Sequence, residues 1–273
     1  MTITSKSVCP YPCLRNLYTR GTDFITHADV GHILGGRILE PVEPVASIPD
    51  AFHQRMVAND CQLVYQTNAF ADGEPLTMRE LNARRENTDG LGGKMLFPGL
   101  WYESEAFYTT QTPRPGYYFK TRANIPDTNY RRCVWGLQTL AKFVQTLFGD
   151  NFSPAGREAI EELRDKAKAL ETLCTGDDWE EGARQFVALK ATQLFLPSPI
   201  EILCHCFLSQ RVNRERLFSF ECAQTNVLSS LNGDFVDVGR AAAEGAYIYD
   251  WRPNVPRDGL GFAFSGSVEL YAG

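Results

Sequence analysis

The chain has 273 residues, a formal net charge of −6, and 44% hydrophobic and 22% charged residues. This composition is typical of a globular protein and excludes disordered, collagen-like and membrane-spanning classes. The negative charge also argues against a general nucleic-acid coat. Basic residues are unevenly divided, because 20 are Arg and 7 are Lys, and the segment 191–273 contains six Arg and no Lys.

Targeting signals and cysteine usage favour no special compartment. Residues 1–21 contain no apolar run of seven or more residues, so they predict no secretory signal. No stretch approaches 18 uncharged apolar residues, so no transmembrane helix is predicted. Eight cysteines are too few for a disulfide scaffold. We expect buried free thiols, with the cytoplasm as the default location.

The periodic patterns divide the chain at about residue 110. Residues 1–110 predict a loop-rich N-terminal region, because Gly, Pro, Asn and Asp interrupt it and only CQLVYQ at 61–66 is a strand candidate. Residues 111–273 form the predicted second domain. Its strand candidate at 116–122 precedes apolar stripes of helical period at 131–148, 154–175, 177–195 and 199–212. Short period-2 strands follow, including RLFSFEC at 216–222, so the order predicts an α+β fold.

Four residues have the spacing of a zinc site: Cys9-x3-Cys13-x13-His27-x4-His32. Two thiolates and two imidazoles suit tetrahedral Zn²⁺. However, eight cysteines and four histidines make a chance match easy, and two prolines stiffen the first pair. Unrelated Cys and His are therefore favoured, and we expect no metal and no cofactor.

Other short motifs do not predict catalysis. The glycine run at 90–94 lacks the spacing and the Ser/Thr of a phosphate-binding loop. The Cys-His-Cys triplet at 204–206 lies on a predicted helix, so we expect a partly buried His beside packed Cys. Glu103 and Glu105 would share one face of a strand, and a solvated edge is favoured for them. Without a hydrolase or metalloprotease signature, we predict that the chain is not an enzyme.

The segment 233–266 carries the most functional information. Apolar and polar residues alternate in it, with Val236 and Val238 set against Asp237 and Arg240, and glycines separate short strands. An antiparallel meander with an ordinary polar face is the simpler interpretation. A binding surface is the more specific one, because exposed Tyr, Trp, Arg and Asn give contact area at low ordering cost.

The pattern G-x-x-V-x-V-G-x…x-G-x-x-x-x-x-W-x-P…L-G-x-A resembles the C-terminal variable region of proteins that diversity-generating retroelements diversify. In that family, adenine-directed mutagenesis rewrites selected codons near the 3′ end of the gene. The encoded region is displayed on a C-type-lectin-like fold that binds diverse ligands. The resemblance covers roughly residues 110–270. It implies helices packed on a small twisted antiparallel sheet, with a variable region at about 233–266.

The resemblance also implies roles for individual positions. The scaffold positions would be Gly233, Val236, Val238, Gly239, Gly245, Ala246, Leu260, Gly261 and Ala263. The ligand-contact positions would be Asp237, Arg240, Tyr247, Tyr249, Asp250, Trp251, Arg252, Asn254, Arg257 and Asp258. The composition of the segment agrees with adenine-directed mutagenesis. Mutation of the adenines in an Asn codon that ends in a pyrimidine cannot produce a codon for Lys, Gln or Met. Residues 233–266 contain none of these three residue types.

We therefore expect a non-enzymatic protein that binds a protein or glycan ligand through its C-terminal face. A phage or virion structural subunit is one alternative, suggested by the loop-rich start and the strand-rich end. A single-stranded RNA-binding module is another, in which Tyr247 and Trp251 stack on bases, although the net charge opposes it. An enzyme with a reactive Cys on the same scaffold would require a thiol of depressed pKa.

Overall fold

The computed structural model describes residues 23–35, 48–84, 92–99, 101–128, 132–255, 257 and 259–272. Their fold is mixed α+β, which confirms the predicted class. The helices in these residues are α1 (His27–Leu34), α2 (Asp50–Ala58), α3 (Met78–Arg84), α4 (Ala106–Thr109), α5 (Cys133–Phe148), α6 (Pro154–Thr175), α7 (Trp179–Ala188), α8 (Lys190–Phe195) and α9 (Pro199–Asn213). The strands are β1 (Phe24–Ile25), β2 (Cys61–Gln66), β3 (Gly116–Thr121), β4 (Cys222–Leu228), β5 (Phe235–Ala242), β6 (Gly245–Trp251), β7 (Leu260–Gly261) and β8 (Ser265–Ser267).

These strands form two four-stranded sheets, in the orders β1-β2-β3-β8 and β6-β5-β4-β7. Most neighbours are antiparallel, but β1 is parallel to β2 and β4 is parallel to β7. The expectation of a purely antiparallel sheet is therefore wrong. Each parallel pair arises because the chain crosses over before it returns to the sheet, through α1 and α2 in the first case and through β5 and β6 in the second.

The first sheet joins residues from both sides of the predicted boundary at residue 110. Strand β2 pairs with β3 from Cys61↔Thr121 to Gln66↔Gly116, and β3 pairs with β8 near the C-terminus. The described part of 1–110 also contains α1 to α4, which the sequence analysis treated as irregular. These helices have nine residues or fewer, too short for a stripe of helical period to stand out. The division into two domains stays a prediction.

Two of the predicted helix starts are confirmed in detail. Ser153 caps α6 by accepting a hydrogen bond from the Gly156 amide, with Pro154 in the first turn. At the start of α9, the Glu201 carboxylate accepts a hydrogen bond from the Ser198 amide at 2.9 Å, with Pro199 in the first turn, as predicted. The single helix predicted over 177–195 is instead α7 and α8, because extended backbone at Leu189 (φ −62°, ψ 138°) interrupts it.

One helical stretch of the described residues, Lys190–Asn213, is apolar and long enough to cross a membrane. Of the window that meets this test, 89% is buried inside the molecule. Buried core helices pass the same test on composition alone.

The strand predicted over 216–222 is wrong for most of its length. Strand β4 begins only at Cys222, and residues 214–221 form a loop in which Arg214 and Phe218 have φ of 60° and 51°. Left-handed residues of this kind break the pleat of a strand. The loop leaves the Phe220 side chain 89% exposed beside the second sheet.

Candidate functional site

The second sheet provides the platform of the candidate site. Val236, Val238 and Ile248 are buried, as the alternating pattern predicts. The strand register places Asp237 opposite Tyr249 and Gly239 opposite Tyr247. Residues directly opposite in an antiparallel pair share a face. The polar and aromatic residues of β5 and β6 are therefore brought together.

A segment from the N-terminal part of the chain extends this platform. The Lys94 amide donates to Ala243 O (2.9 Å), and the Phe97 amide donates to Ala246 O (2.9 Å). Gly245 permits this close approach, because its φ is +110° and an added Cβ would lie 2.3 Å from the Leu96 carbonyl carbon. A glycine that the resemblance assigned to the scaffold thus brings Phe97 next to Tyr247.

Phe97, Tyr247 and Tyr249 form a continuous stack, which we call the aromatic ladder. The rings of Phe97 and Tyr247 lie 4.1 Å apart at 16°, and those of Tyr247 and Tyr249 lie 5.4 Å apart at 6°. Phe97 is 38% exposed, and both tyrosines are half-buried. Stacked rings of this kind give a rigid contact surface with few rotatable bonds.

Two arginines extend the ladder. The Arg257 guanidinium lies 4.3 Å from the centre of the Tyr249 ring, and that of Arg240 lies 5.9 Å from it. Both distances are within the range of cation–π attraction. The ladder therefore ends in positive charge.

Asp237 holds Arg257 from below. Its Oδ1 accepts a hydrogen bond from Arg257 Nη1 at 3.0 Å, and its side chain is fully buried. Desolvation by burial raises the pKa of Asp237 to about 6, although the Arg257 charge opposes the shift. The expectation that Asp237 is exposed for ligand contact is wrong. Its position beneath Arg257 instead fixes the guanidinium against Tyr249.

Arg240 projects from an irregular point in β5. The pairing of β5 with β6 shifts register between Gly239 and Ala242, and Arg240 has φ of 46°. Gly259 lies close to both Phe220 and Arg240. The Cβ position built on Gly259 is 3.8 Å from Phe220 O and 3.9 Å from Arg240 Nη2. Arg240 therefore lies next to the loop that exposes Phe220.

The remaining predicted contact positions lie along and beyond the end of β6. Asp250 is exposed and accepts a hydrogen bond from Asn232 Nδ2 (2.8 Å). Arg252 is exposed, 5.4 Å above the Trp179 ring and 3.6 Å from the Asp234 carboxylate. Asn254 is exposed, and Asp258 lies outside the described residues.

Trp251 is buried, so its predicted exposure is wrong. Its ring stacks on Phe235 at 5.8 Å, and its indole N–H donates to Val255 O at 2.6 Å. It fixes the loop that carries Arg252 and Asn254, and it cannot stack on a nucleic-acid base as the RNA alternative requires.

The sequence pattern does not indicate four exposed apolar residues that lie in loops next to the second sheet. They are Phe97, Phe220, Leu231 and Val255, which are 38%, 89%, 64% and 51% exposed. Phe97 follows the glycine run at 90–94, a signal of close backbone contact, but nothing there names β6 as the contact. The others lie in loops, where alternation gives no information about exposure.

The remaining motifs are structural or lie partly outside the described residues. Cys9 and Cys13 fall outside them. His27 and His32 lie five residues apart on α1, about 140° apart around the helix axis. His27 Nδ1 is 3.2 Å from the Tyr117 hydroxyl, and His32 is exposed. The expectation of unrelated Cys and His stays a prediction, and the positions of His27 and His32 do not favour the zinc alternative.

Glu105 and His205 are buried and hydrogen-bonded within the fold. Glu105 accepts hydrogen bonds from Ser229 Oγ (2.7 Å) and the Ser230 amide (3.0 Å), so its predicted solvated edge is wrong. His205 is buried, as predicted, with Nε2 2.7 Å from Gln62 Oε1. Desolvation by burial holds the pKa of His205 well below its ordinary value, so His205 is neutral at pH 7.

The described cysteines are buried and free, as predicted. Burial raises the pKa of five thiols, those of Cys61, Cys133, Cys204, Cys206 and Cys222. A nucleophilic cysteine requires a lowered pKa. The reactive-cysteine alternative is therefore disfavoured at these five positions.

Phe220 also lines an open groove of about 680 Å³. Arg122, another lining residue, contacts three carboxylates, those of Asp23 (2.5 Å), Asp60 (3.1 Å) and Glu215 (2.8 Å). Desolvation by burial raises the pKa of Asp60, and the Arg122 charge opposes that rise. The groove is acidic, and its central cation is already paired.

Comparison of the chain with protein-family models, with curated proteins and with solved structures finds no match.

Proposed function

We propose that this chain is a non-enzymatic binding protein that displays a diversified surface on a C-type-lectin-like scaffold. The observation that carries the proposal is the aromatic ladder with its flanking arginines. Four of these five residues are positions that the resemblance assigned to ligand contact: Arg240, Tyr247, Tyr249 and Arg257. Their backbone is set by close contacts at Gly239 and Gly245, whose neighbours leave no room for a Cβ.

A protein ligand is favoured over a glycan. Protein interfaces combine an apolar centre with aromatic residues and Arg. The ladder supplies the aromatic residues, and Phe220, Leu231 and Val255 supply further exposed apolar area in loops next to β4, β5 and β6. A glycan ligand is the second outcome that the experiments below distinguish.

The scaffold proposal draws support from the region 111–273. Its first strand, β3, pairs antiparallel with its last strand, β8, which closes this part of the chain on itself. Helices α5 to α9 lie between β3 and the strands of the variable region, and the resemblance implies helices packed with such a sheet. Glu105, His205 and Asp237 are each held by hydrogen bonds within the fold, which is typical of structural groups and supports a binding role.

The gene locus gives the first test. We expect a near-copy of the segment encoding residues 233–266, differing mainly at adenines, together with a reverse transcriptase gene. The expected substitutions fall at proposed contact positions such as Arg240 and Tyr247 and spare Gly239 and Gly245. A locus with neither element contradicts diversification, while the binding surface can still be tested on the protein.

Selection of binders gives the second test. A displayed library of peptides and small domains and a panel of printed glycans are screened against the full chain. We expect to select protein binders. Their affinity for the Tyr247→Ser, Tyr249→Ser double variant should be at least tenfold lower than for the wild type, because a few aromatic residues carry most of the binding energy of an interface. Trp135→Ala is the control, since Trp135 is 40% exposed on α5, far along the chain from the ladder.

The outcomes separate the alternatives. Binders that keep full affinity for the folded double variant would place the site elsewhere. Hits confined to the glycan panel would favour a glycan ligand, and salt-sensitive binding of single-stranded RNA would favour the RNA module. Large symmetric particles in light scattering would favour the virion subunit.

A further inference from the structure

We propose that Cys133 and Cys174 form a disulfide bond when the folded protein meets a low-molecular-weight disulfide such as oxidised glutathione. The bond would join the start of α5 to the end of α6. This proposal is independent of the ligand-binding face and of the proposed function.

The two thiols lie side by side at one end of a helix pair. Helices α5 and α6 are consecutive, and a short turn joins them, so the first residue of α5 comes next to the last turn of α6. Cys133 is 0% exposed and Cys174 is 1% exposed. The side chains of Cys133 and Cys174 are neighbours, close enough for the Cys174 thiol to add to burial in raising the pKa of Cys133. Two cysteines on adjoining helix ends of this kind need little backbone movement to be bridged.

Neighbouring contacts hold this register independently of the sulfur atoms. Arg132, just before Cys133, lies 3.3 Å from the carboxylate of Glu171, which is one turn before Cys174. On the α7 side, a Cβ added to Gly182 would come 2.9 Å from Cys174 Sγ. The backbone of α7 at Gly182 therefore confines the Cys174 thiol on one side. The Arg132–Glu171 ion pair keeps the start of α5 next to the end of α6.

The other described cysteines have different neighbours. The Cys61 thiol donates to Asn59 O (3.7 Å), and that of Cys206 donates to Leu217 O (3.9 Å). Cys204 and Cys206 are two positions apart on α9 and so point to different sides of it. These residues provide matched controls for the pair.

The reaction balances through two thiol–disulfide exchanges. The Cys133 thiolate attacks one sulfur of the small disulfide, which breaks its S–S bond and releases one thiolate. The Cys174 thiolate then displaces the second thiolate from the mixed disulfide. The protein loses two protons and two electrons, and the small disulfide is reduced to two thiols.

Burial of the Cys133 thiol should make this oxidation slow, but local opening of the helix end can expose the thiol to the oxidant. Desolvation raises the pKa of the Cys133 thiol, so little thiolate is present at neutral pH. Cys133 is the first residue of α5, however, and helix ends open more readily than helix centres. We expect oxidation to be faster at pH 8.5 than at pH 7.

The test uses the full chain, reduced, freed of reductant and incubated with oxidised glutathione. After acid quenching, alkylation and trypsin digestion, we expect peptide 133–142 joined to peptide 169–184, two hydrogens lighter than the two reduced peptides together. Each of these peptides contains one cysteine. The oxidised protein should melt several degrees higher than the reduced protein, because the bond constrains the unfolded chain.

Serine variants of individual cysteines test whether the disulfide joins Cys133 to Cys174. Cys133→Ser and Cys174→Ser should each abolish the joined peptide and the rise in melting temperature, whereas Cys204→Ser should keep both. The proposal is overturned if the folded wild type yields no 133–174 linkage, yields only glutathione adducts, or links these cysteines no more than the other buried ones.

Discussion

A buried carboxylate shapes the face that we propose for ligand binding. Asp237 lies fully buried beneath Arg257, and Arg257 in turn lies against Tyr249. The alternating pattern places Asp237 on the correct face of β5, but it does not show that Arg257 covers it. The carboxylate therefore positions the arginine that can contact a ligand.

The raised pKa of Asp237 gives a pH-dependent prediction. Because this pKa is about 6, against 3.8 for an unperturbed Asp, the contribution of this carboxyl to stability is complete below pH 3.8. It is lost as the pH rises through 6. From pH 7 to pH 5, wild type should therefore gain about 1 kcal/mol of unfolding free energy relative to Asp237→Asn.

Denaturant unfolding at several pH values measures this difference. The Asp237→Asn variant serves as the reference because it keeps the size of the side chain and removes the titration. Parallel pH profiles for the two proteins would show that Asp237 titrates as an ordinary exposed carboxyl.

At the scale of elements, the contact between the segment 94–97 and β6 builds the ladder. Gly245→Ala should destabilise the protein by about 3 kcal/mol or more, because it adds a steric clash with the Leu96 backbone to the strain of a positive φ. The variant should also weaken ligand binding by displacing Phe97. Thermal unfolding and the binding assay measure the two effects.

Gly233→Ala is the control for this change. Gly233 also has a positive φ, of +77°, but a Cβ there meets nothing within 4 Å. Gly233→Ala should therefore lower the unfolding free energy by only about 1 kcal/mol, because it adds backbone strain without a steric clash. Equal losses in the two variants would show that the clash at Leu96 is unimportant.

A second element-scale contact joins α4 to the turn between β4 and β5. Glu105 precedes α4 and accepts hydrogen bonds from Ser229 and from Ser230. Glu105→Ala should cost about 2–3 kcal/mol of unfolding free energy, since it leaves buried donors without an acceptor. Glu103→Ala, at an exposed site two residues away, should change stability by less than about 0.5 kcal/mol. Similar losses in both would contradict the anchoring role of Glu105.

At the scale of the whole molecule, an ion pair between the half-buried Arg114 and the buried Glu201 joins the segment just before β3 to α9. Glu201 accepts from Arg114 Nε (2.8 Å) and Nη2 (2.8 Å), and it also caps α9 through the Ser198 amide (2.9 Å). Lys120, on β3, donates to Glu201 O at 3.0 Å. Desolvation by burial lowers the pKa of Lys120 to about 8, and the Glu201 charge opposes this shift. One carboxylate therefore balances two cations in this part of the core.

Glu201→Gln should be strongly destabilising, by about 3–5 kcal/mol, because it leaves Arg114 and Lys120 without the opposing charge. Chemical denaturation measures the loss, and Glu161→Gln, at an exposed site on α6, is the control. A loss below about 1 kcal/mol would show that water reaches and solvates these cations.

Much of the fold could be predicted where local chemistry decides the structure. The capping residues and prolines fixed the starts of α6 and α9, and alternation placed Val236 and Val238 in the core. The predictions failed where distant contacts decide the outcome. Leu189 divides one long periodic stretch into two helices, and the loop 214–221 replaces a predicted strand.

For the candidate site, sequence alone determined the α+β class, the glycines that set the backbone, and most of the exposed polar and aromatic positions of β6 and its loop. Only the tertiary structure decided which of those side chains are free to meet a ligand. It buried Asp237 and Trp251 and brought Phe97 beside Tyr247. The physical reason is that periodicity shows which face of a strand a residue occupies, whereas exposure depends on the distant segments that pack against that face.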